Sequence, residues 1–355
     1  MRALFLVNGL GLGNSTRCHA VIQRLVERGA EVAVITGDNG AWYMRERTEL
    51  AAFHEMESVW YAKKNGRLDV LGTVGAVGQF VAIARRNDAR VKSVIADFKP
   101  DVAVIDSVYT VCSLKSAKVP IAAVNNADVV HVAWQRFTER PSSVRAQFYT
   151  IEENDYRFHR MVPDLVVSPN IDPTLPTVGA PYVRVGPIVR AGFTPTEPEP
   201  TPRVVVMLSG STFGTPVDLR GGHGLHIDVL GRPVPTDGRT PDGVAYHGKV
   251  RDTLPFLRGA SLAVVNGGFS AVSEIFAMRM PMVVVPVPNH AEQWLNAKVV
   301  ESLGIGVIST EEGLEDAMMR AMDRLPQMRA AYDRLPQEPD GATSAAEAIA
   351  ALGKG

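Results

Sequence analysis

The segment VVNGGFSAVSE, Val264–Glu274, decides how this chain is read. Its apolar start reads as the end of a β-strand, its glycine pair as a tight turn, and the remainder as the opening of a helix. Gly267 and Gly268 carry no side chain to hold another molecule away from the backbone. The first N–H groups of the helix can then point at an anion such as a phosphate, with Ser270 either capping the helix or touching the same anion. A capping-box partner for Ser270 would stand three positions on, at Ser273, so Glu274 is not explained by capping unless the helix starts a residue later. A carboxylate one turn into such a helix is well placed to accept both hydroxyls of a ribose.

One strand further on comes VVVPVPNHAEQWLNA, Val283–Ala297. Asn289 and Glu292 have capping-box spacing, and Ala297, Val300 and Leu303 recur as a core face. Glu292 and Gln293 also stand together at the carboxyl end of a strand, where open α/β sheets place their ligands. An adjacent carboxylate and amide suit the several hydroxyls of a sugar. Upstream, MLSGSTFG, Met207–Gly214, is a third turn of this kind, in which Ser209, Gly210 and Ser211 can bind phosphate oxygens.

The chain opens with the same texture. RALFLVN reads as a strand, and VNGLGLGNSTRCHA, Val7–Ala20, follows as a glycine-rich loop. The spacing of Cys18, Val21, Ile22 and Leu25 predicts a helix over 16–28, capped by Asn14, Ser15 or Thr16 and ended by Gly29. A dinucleotide fingerprint G-x-G-x-x-G fails in both registers, because its third glycine falls on Asn14 or on Thr16. What Gly11 and Gly13 leave is a loop that lets a ligand approach the backbone, or a tight turn alone.

Further strands are expected at EVAVITG, DVAVIDS, PIAAVNN and DLVVSPN, then at RVVVML, HIDVLG, AYHGKV, LAVVNGG and MVVVPVP. Alternation of strand and helix predicts parallel sheets and an α/β class. Pro187, Pro195, Pro198, Pro200 and Pro202 favour an extended linker between the two series. The expected division is therefore a domain over 1–189, a linker over 190–202, a second domain over 203–340, and a C-terminal helix over 341–355 that packs back on the first domain. Ser344 and Glu347 are spaced as that helix's capping box.

At 355 residues the chain has the length of two domains. A formal net charge of −1 argues against a general electrostatic hold on nucleic acid. Two cysteines, Cys18 and Cys112, in apolar surroundings do not make a disulfide framework and fit a reducing cytoplasm. The opening apolar run is too short for a secretory signal, and no run approaches a membrane span. The small-residue stretch Asp69–Ala84, flanked by Lys63, Lys64, Arg67, Arg85 and Arg86, reads as a partly buried helix with a solvated basic end. Its other reading is a patch that meets a membrane or a lipid-linked partner.

The run NGGFSAVSE, a strand, and then P…NHAEQWLNA resembles the C-terminal domain of GT-B-fold nucleotide-sugar glycosyltransferases. It is most similar to the group of the peptidoglycan N-acetylglucosaminyltransferase, and next to the antibiotic enzymes. The resemblance implies two Rossmann-like doubly wound parallel-sheet domains facing a cleft. It implies a sugar moved with inversion, without a metal, from a UDP- or dTDP-sugar to a small-molecule or lipid-linked acceptor. By the same resemblance Gly267, Gly268, Ser270 and Ala271 face the diphosphate, Glu274 holds the ribose, and Glu292 and Gln293 hold the sugar. Val250, in YHGKV, meets the base through its backbone, and the opening loop lies between acceptor and donor phosphates. No cofactor beyond the donor is implied.

Relatives carry histidine in the opening loop where this chain has Asn14, and the antibiotic branch carries histidine where this chain has Asn266. The usual helix after Ser211 also reads as shortened or absent. A base for the acceptor must then come from elsewhere. Asp106, at the end of a strand, is the first candidate, followed by Asp128 and His131, while His19 reads as a structural histidine inside the first helix. Two other readings stand beside transfer. GLGNSTRC is similar to the loop of sugar-nucleotide hydrolases, so a hydrolase or epimerase on the same fold is one; a non-catalytic donor-binding partner is the other.

Overall fold

The computed structural model describes residues 1–57, 63–64, 67–68, 77–208, 217, 219–221, 224–235, 238–336 and 340–354. The chain forms two compact units. The first comprises Met1–Val129, Asn154–Arg190 and Glu338–Gly355; the second comprises Val130–Glu153 and Ala191–Gln337. The stretch Val130–Glu153, expected within the first domain, thus clusters with the second.

In chain order the first half contains β1 (Arg2–Val7), α1 (Leu12–Glu27), β2 (Glu31–Thr36), α2 (Asp38–Met44), β3 (Ala52–Glu55) and the short pair β4 (Lys63–Lys64) and β5 (Arg67–Leu68). Then come α3 (Val77–Phe98), β6 (Val102–Asp106), α4 (Cys112–Ser116), β7 (Ile121–Val124), α5 (Ala127–Arg136) and α6 (Ser142–Gln147). A π-helical turn (Phe148–Glu152), α7 (Glu153–Met161), β8 (Leu165–Pro169) and β9 (Tyr182–Val185) complete it. The second half contains β10 (Arg203–Met207), β11 (His226–Leu230), β12 (Val244–Gly248), α8 (Leu254–Leu257), β13 (Leu262–Val265), α9 (Phe269–Ala277) and β14 (Met282–Val284). It ends with α10 (Ala291–Ser302), β15 (Gly306–Ile308), α11 (Leu314–Asp323), α12 (Leu325–Asp333) and α13 (Gly341–Leu352).

The strand order is β3-β2-β1-β6-β7-β8-β9 in the first unit and β12-β11-β10-β13-β14-β15 in the second. The pairings within both sheets are parallel. Each order reverses beside its first strand, at β1/β6 and at β10/β13, and such switch points are where doubly wound sheets bind ligands. The opening loop follows β1, and the Gly267–Gly268 turn follows β13.

Alternation along the strands builds both layers around the first sheet. Ala3, Phe5 and Val7 pack with Cys18, Val21, Ile22 and Leu25 of α1 and with Ala342, Ala345, Ala346 and Ile349 of α13. Leu4 and Leu6 point the other way, to Val91, Val94 and Phe98 of α3. Ala342, Ala345 and Ala346 of α13 recur at i, i+3 and i+4, and their small side chains allow a close approach. A Cβ on Gly341 would lie 2.0 Å from the Gly186 carbonyl oxygen.

Several helix starts differ from expectation. α1 begins at Leu12, with Gly11 as an extended N-cap and no side-chain cap. Asn8 makes the turn instead, its Oδ1 accepting from the Leu10 N–H at 3.0 Å, so Asn14, Ser15 and Thr16 lie inside the helix. α13 is capped by Asp340, which accepts from the Ala342 N–H, and not by Ser344; Glu347 instead pairs with Arg28 at 2.7 Å. α10 is preceded by His290, not Asn289, because Asn289 takes a left-handed φ of 65°. The short strands β3 and β15 carry too few residues to give a period.

Candidate functional site

In the second unit, Gly268 is the extended N-cap of α9, so the helix starts one residue before Ser270. The first intrahelical bond runs from the Val272 N–H to the Gly268 carbonyl, at 3.1 Å. The amides of 268–271 therefore stand ahead of the helical ladder, at the positive end of the helix dipole. The two glycines have different reasons. A Cβ on Gly267 would meet the Gln293 carbonyl oxygen at 2.3 Å, whereas one on Gly268 would meet nothing within 4 Å. Gly267 lets α10 pack against the turn, and Gly268 keeps the space before the amides clear.

α10 braces this turn. Asn296 is buried and donates its Nδ2–H to the Gly267 carbonyl at 2.8 Å. Asn266 donates to the Val285 carbonyl at 2.9 Å, while its Oδ1 is buried without a partner. Ser270 and Ala271 occupy the second and third positions of α9, and Glu274, 8% exposed, stands one turn below Ser270 on the same side. Gln293 Oε1 accepts from the Val287 N–H at 3.0 Å. Its amide is thereby oriented, and its Nε2 is the group left to donate. Glu292 beside it is half-buried in the first turn of α10.

Val250 lies just past β12, in a segment that is anchored at His247. The His247 ring contacts Phe256, and its Nε2 is 2.7 Å from Asp228 of β11. Ser209, Gly210 and Ser211, much of the segment that follows them, and the first half of Asp69–Ala84 lie outside the described residues. Burial pushes the His290 imidazole below its usual value against the pull of Glu292, and its Nδ1 has no hydrogen-bond partner.

The candidate bases separate sharply. Asp106 is wholly buried, and Arg17 clasps it side-on with one guanidinium edge, Nε at 3.0 Å and Nη2 at 2.8 Å. Cys18 Sγ donates to it at 3.4 Å, and burial pushes that thiol up. Removing one partner of such a pair costs about 3–5 kcal/mol, so its work is to hold α1 on β6. Asp128 is also wholly buried, bonded by Ser168 Oγ and by Arg184 Nε at 2.8 Å. Both carboxylates are without exposed surface and committed to ion pairs, which does not fit the base role expected of them.

His131, in the second unit, is different. Its side chain is 22% exposed, and its Nδ1 lies 2.9 Å from Glu153. Nε2 meets the exposed Gln135 side chain at 2.9 Å. A carboxylate on Nδ1 keeps Nε2 as the acceptor, which is the tautomer a general base needs. His19 is a buried structural residue: Nδ1 is 2.8 Å from the Tyr43 hydroxyl and Nε2 is 2.6 Å from Glu49.

In the opening loop, Gly9 is explained by packing, since its Cβ would lie 1.8 Å from the Gly37 carbonyl oxygen. Gly11 is exposed with open space at its Cβ, and Gly13 lies inside α1. Asn14 only approaches the Asn8 carbonyl, at 3.5 Å. Sequence reasoning missed Glu153, Gln147, Asn296 and Asp228. Asn296 stands within Val283–Ala297, i+3 from Gln293, and was the one within reach of a spacing argument.

Two doubly wound parallel-sheet units are the architecture that the resemblance to GT-B-fold glycosyltransferases implies. The chain belongs to glycosyl transferase family 1, whose sequence profile matches residues 1–326. It is 25% identical over 335 residues to an uncharacterized glycosyltransferase of Methanosarcina acetivorans, covering 86% of this chain and 85% of that one. The kitacinnamycin glycotransferase superposes with a TM-score of 0.64 at 18% identity, over 99% of this chain and 98% of that one. The SsfS6 glycosyltransferase of Streptomyces sp. SF2575, solved with thymidine diphosphate, gives 0.59 at 17% identity, over 97% and 98%. Among the described residues, no helix is long and apolar enough to cross a membrane.

Proposed function

We propose that the chain moves a sugar from a UDP- or dTDP-sugar to the hydroxyl of a small-molecule or lipid-linked acceptor, with inversion and without need of a metal ion. The observation that carries this is the Gly268 turn: an open Cα in front of the α9 amides, braced from behind by α10. The diphosphate sits on the amides of 268–271, Glu274 accepts the ribose hydroxyls, Glu292 and Gln293 take the sugar, and Val250 meets the base. The structure of SsfS6 with thymidine diphosphate supports a nucleoside diphosphate as the ligand class.

In the transfer, the acceptor oxygen forms a bond to the anomeric carbon from the face opposite the diphosphate. The bond from that carbon to the diphosphate oxygen breaks, and the acceptor proton passes to His131 Nε2. Glu153 on Nδ1 stabilises the imidazolium so formed. Helix-terminal amides receive the charge that develops on the leaving diphosphate, which is the service a metal would otherwise supply. A single in-line displacement inverts the anomeric centre.

Calorimetric titration with UDP and dTDP tests the site. One of the two binds, and Glu274→Ala weakens it at least tenfold, about 1.4 kcal/mol, with the fold intact. Turnover unaffected by EDTA accords with the metal-free step. If neither nucleotide binds the wild-type chain, the donor site is wrongly placed.

A further inference from the structure

The helix that presents Glu292 and Gln293 has an unusual cap. His290 supplies no side-chain cap to α10. Ala291, the first residue of that helix, is wholly buried, so water cannot satisfy its N–H. Its partner is the Gln147 side chain, whose Oε1 accepts at 2.8 Å from 144 residues away in sequence.

Gln147 is itself held. Its Nε2 donates to Glu152 Oε1 at 2.6 Å. These two residues are five apart, and around an α-helix they would diverge by about 140°. The chain between them, Phe148–Glu152, is a π-helical turn, whose i→i+5 bonding brings such positions toward one side. Phe148 is buried and stacks on Trp134 at 3.9 Å between centroids, which fixes the rotation of the turn. Glu153 then follows directly and holds His131.

We infer that Gln147 is a positioning residue for the sugar end of the donor: it caps α10 from outside and sets the direction in which Glu292 and Gln293 face. The inference rests on the donor-site reading above. One continuous stretch, 131–153, thus registers both the base and the helix that holds the sugar. It specifies polarity as well. Glu292 accepts from one hydroxyl, and Gln293, with its oxygen taken by Val287, donates to another.

The test compares each nucleotide with its own sugar ester, UDP with UDP-GlcNAc and dTDP with dTDP-glucose, by calorimetry. Gln147→Ala raises the Kd of the nucleotide sugar about tenfold relative to that of the bare nucleotide, which changes less than twofold. The exchanged pair Gln147→Glu with Glu152→Gln keeps an acceptor for Ala291 and a bond between 147 and 152. It restores the wild-type ratio to within twofold. Amide hydrogen exchange gives a readout apart from binding: in Gln147→Ala, the segment 289–297 exchanges faster while 262–277 does not. An unchanged ratio and unchanged exchange in Gln147→Ala overturn the inference, as does failure of the folded exchanged pair to restore the ratio. Wild-type chain that binds none of the four ligands overturns the donor site itself and the inference with it.

Discussion

The two glycines of the α9 turn invite opposite outcomes from the same substitution. Gly267→Ala places a Cβ 2.3 Å from the Gln293 carbonyl oxygen and 2.9 Å from its carbon. Those are backbone atoms of a packed helix and cannot swing away. Overpacking of this kind costs about 1–3 kcal/mol. For a unit of this size each kcal/mol shifts Tm by roughly 2–4 °C, so melting falls by about 2–12 °C. Gly268→Ala meets nothing within 4 Å, and its φ of −63° and ψ of 130° suit alanine. The entropic gain of about 0.4–1 kcal/mol is offset by the poorer N-cap, and Tm moves by no more than roughly 4 °C. The added methyl stands where the diphosphate must approach, and nucleotide affinity falls at least about tenfold, or 1.4 kcal/mol. Differential scanning fluorimetry and titration calorimetry on the two variants read both quantities. If Gly268→Ala binds UDP or dTDP like the wild type, the diphosphate does not lie on these amides. If Gly267→Ala melts like the wild type, the packing argument is wrong.

Two further outcomes follow from the same geometry. His131→Gln lowers turnover by about 10²–10⁴-fold while leaving nucleotide affinity unchanged, measured as nucleotide release against calorimetric Kd; a rate within threefold of wild type removes His131 as base. The His19–Glu49 pair makes stability pH-dependent. Burial, aided by Arg47 and Arg190, lowers the His19 pKa despite its bond to Glu49. Burial pushes the Glu49 carboxyl up, but bonds from its own backbone and from His19 leave it below the usual carboxylate range. The unfolded chain therefore takes up the extra proton as pH falls below about 6.5, and stability drops there and again below about 4.5. His19→Gln flattens the fall in Tm between pH 7 and 5, and parallel curves for the two proteins refute the assignment.

Much of this was legible in the sequence because the sheets are parallel and buried on both faces, which makes each strand a short apolar run between polar ends. β1, β2, β6, β7, β10, β11, β13 and β14 all stand where such runs occur. The turn after β13 was legible because paired glycines directly before a helix strip away the side chains that would cover its first amides. Helix starts were less legible, since Gly268, Gly11 and His290 act as N-caps without any capping side chain. The base was misread for another reason. Asp106 ends a strand beside a switch point, but its partner Arg17 stands 89 residues earlier, and nothing in the local pattern reveals a pair at that separation. Gln147 was invisible on the same ground, at a separation of 144 residues.

The division of the chain into five pieces has a consequence for its biosynthesis. In the first unit the layer against β1 is closed by the alanine face of α13, which is made only after the whole of Ala191–Gln337. Until then Val21, Ile22 and Leu25 have no cover on that side. A fragment ending at Arg190 would expose this strip to solvent, and one starting at Ala191 would lack the cap of α10. Neither half is a self-sufficient product, and β1 and α1 wait for a helix that follows the second unit in the chain.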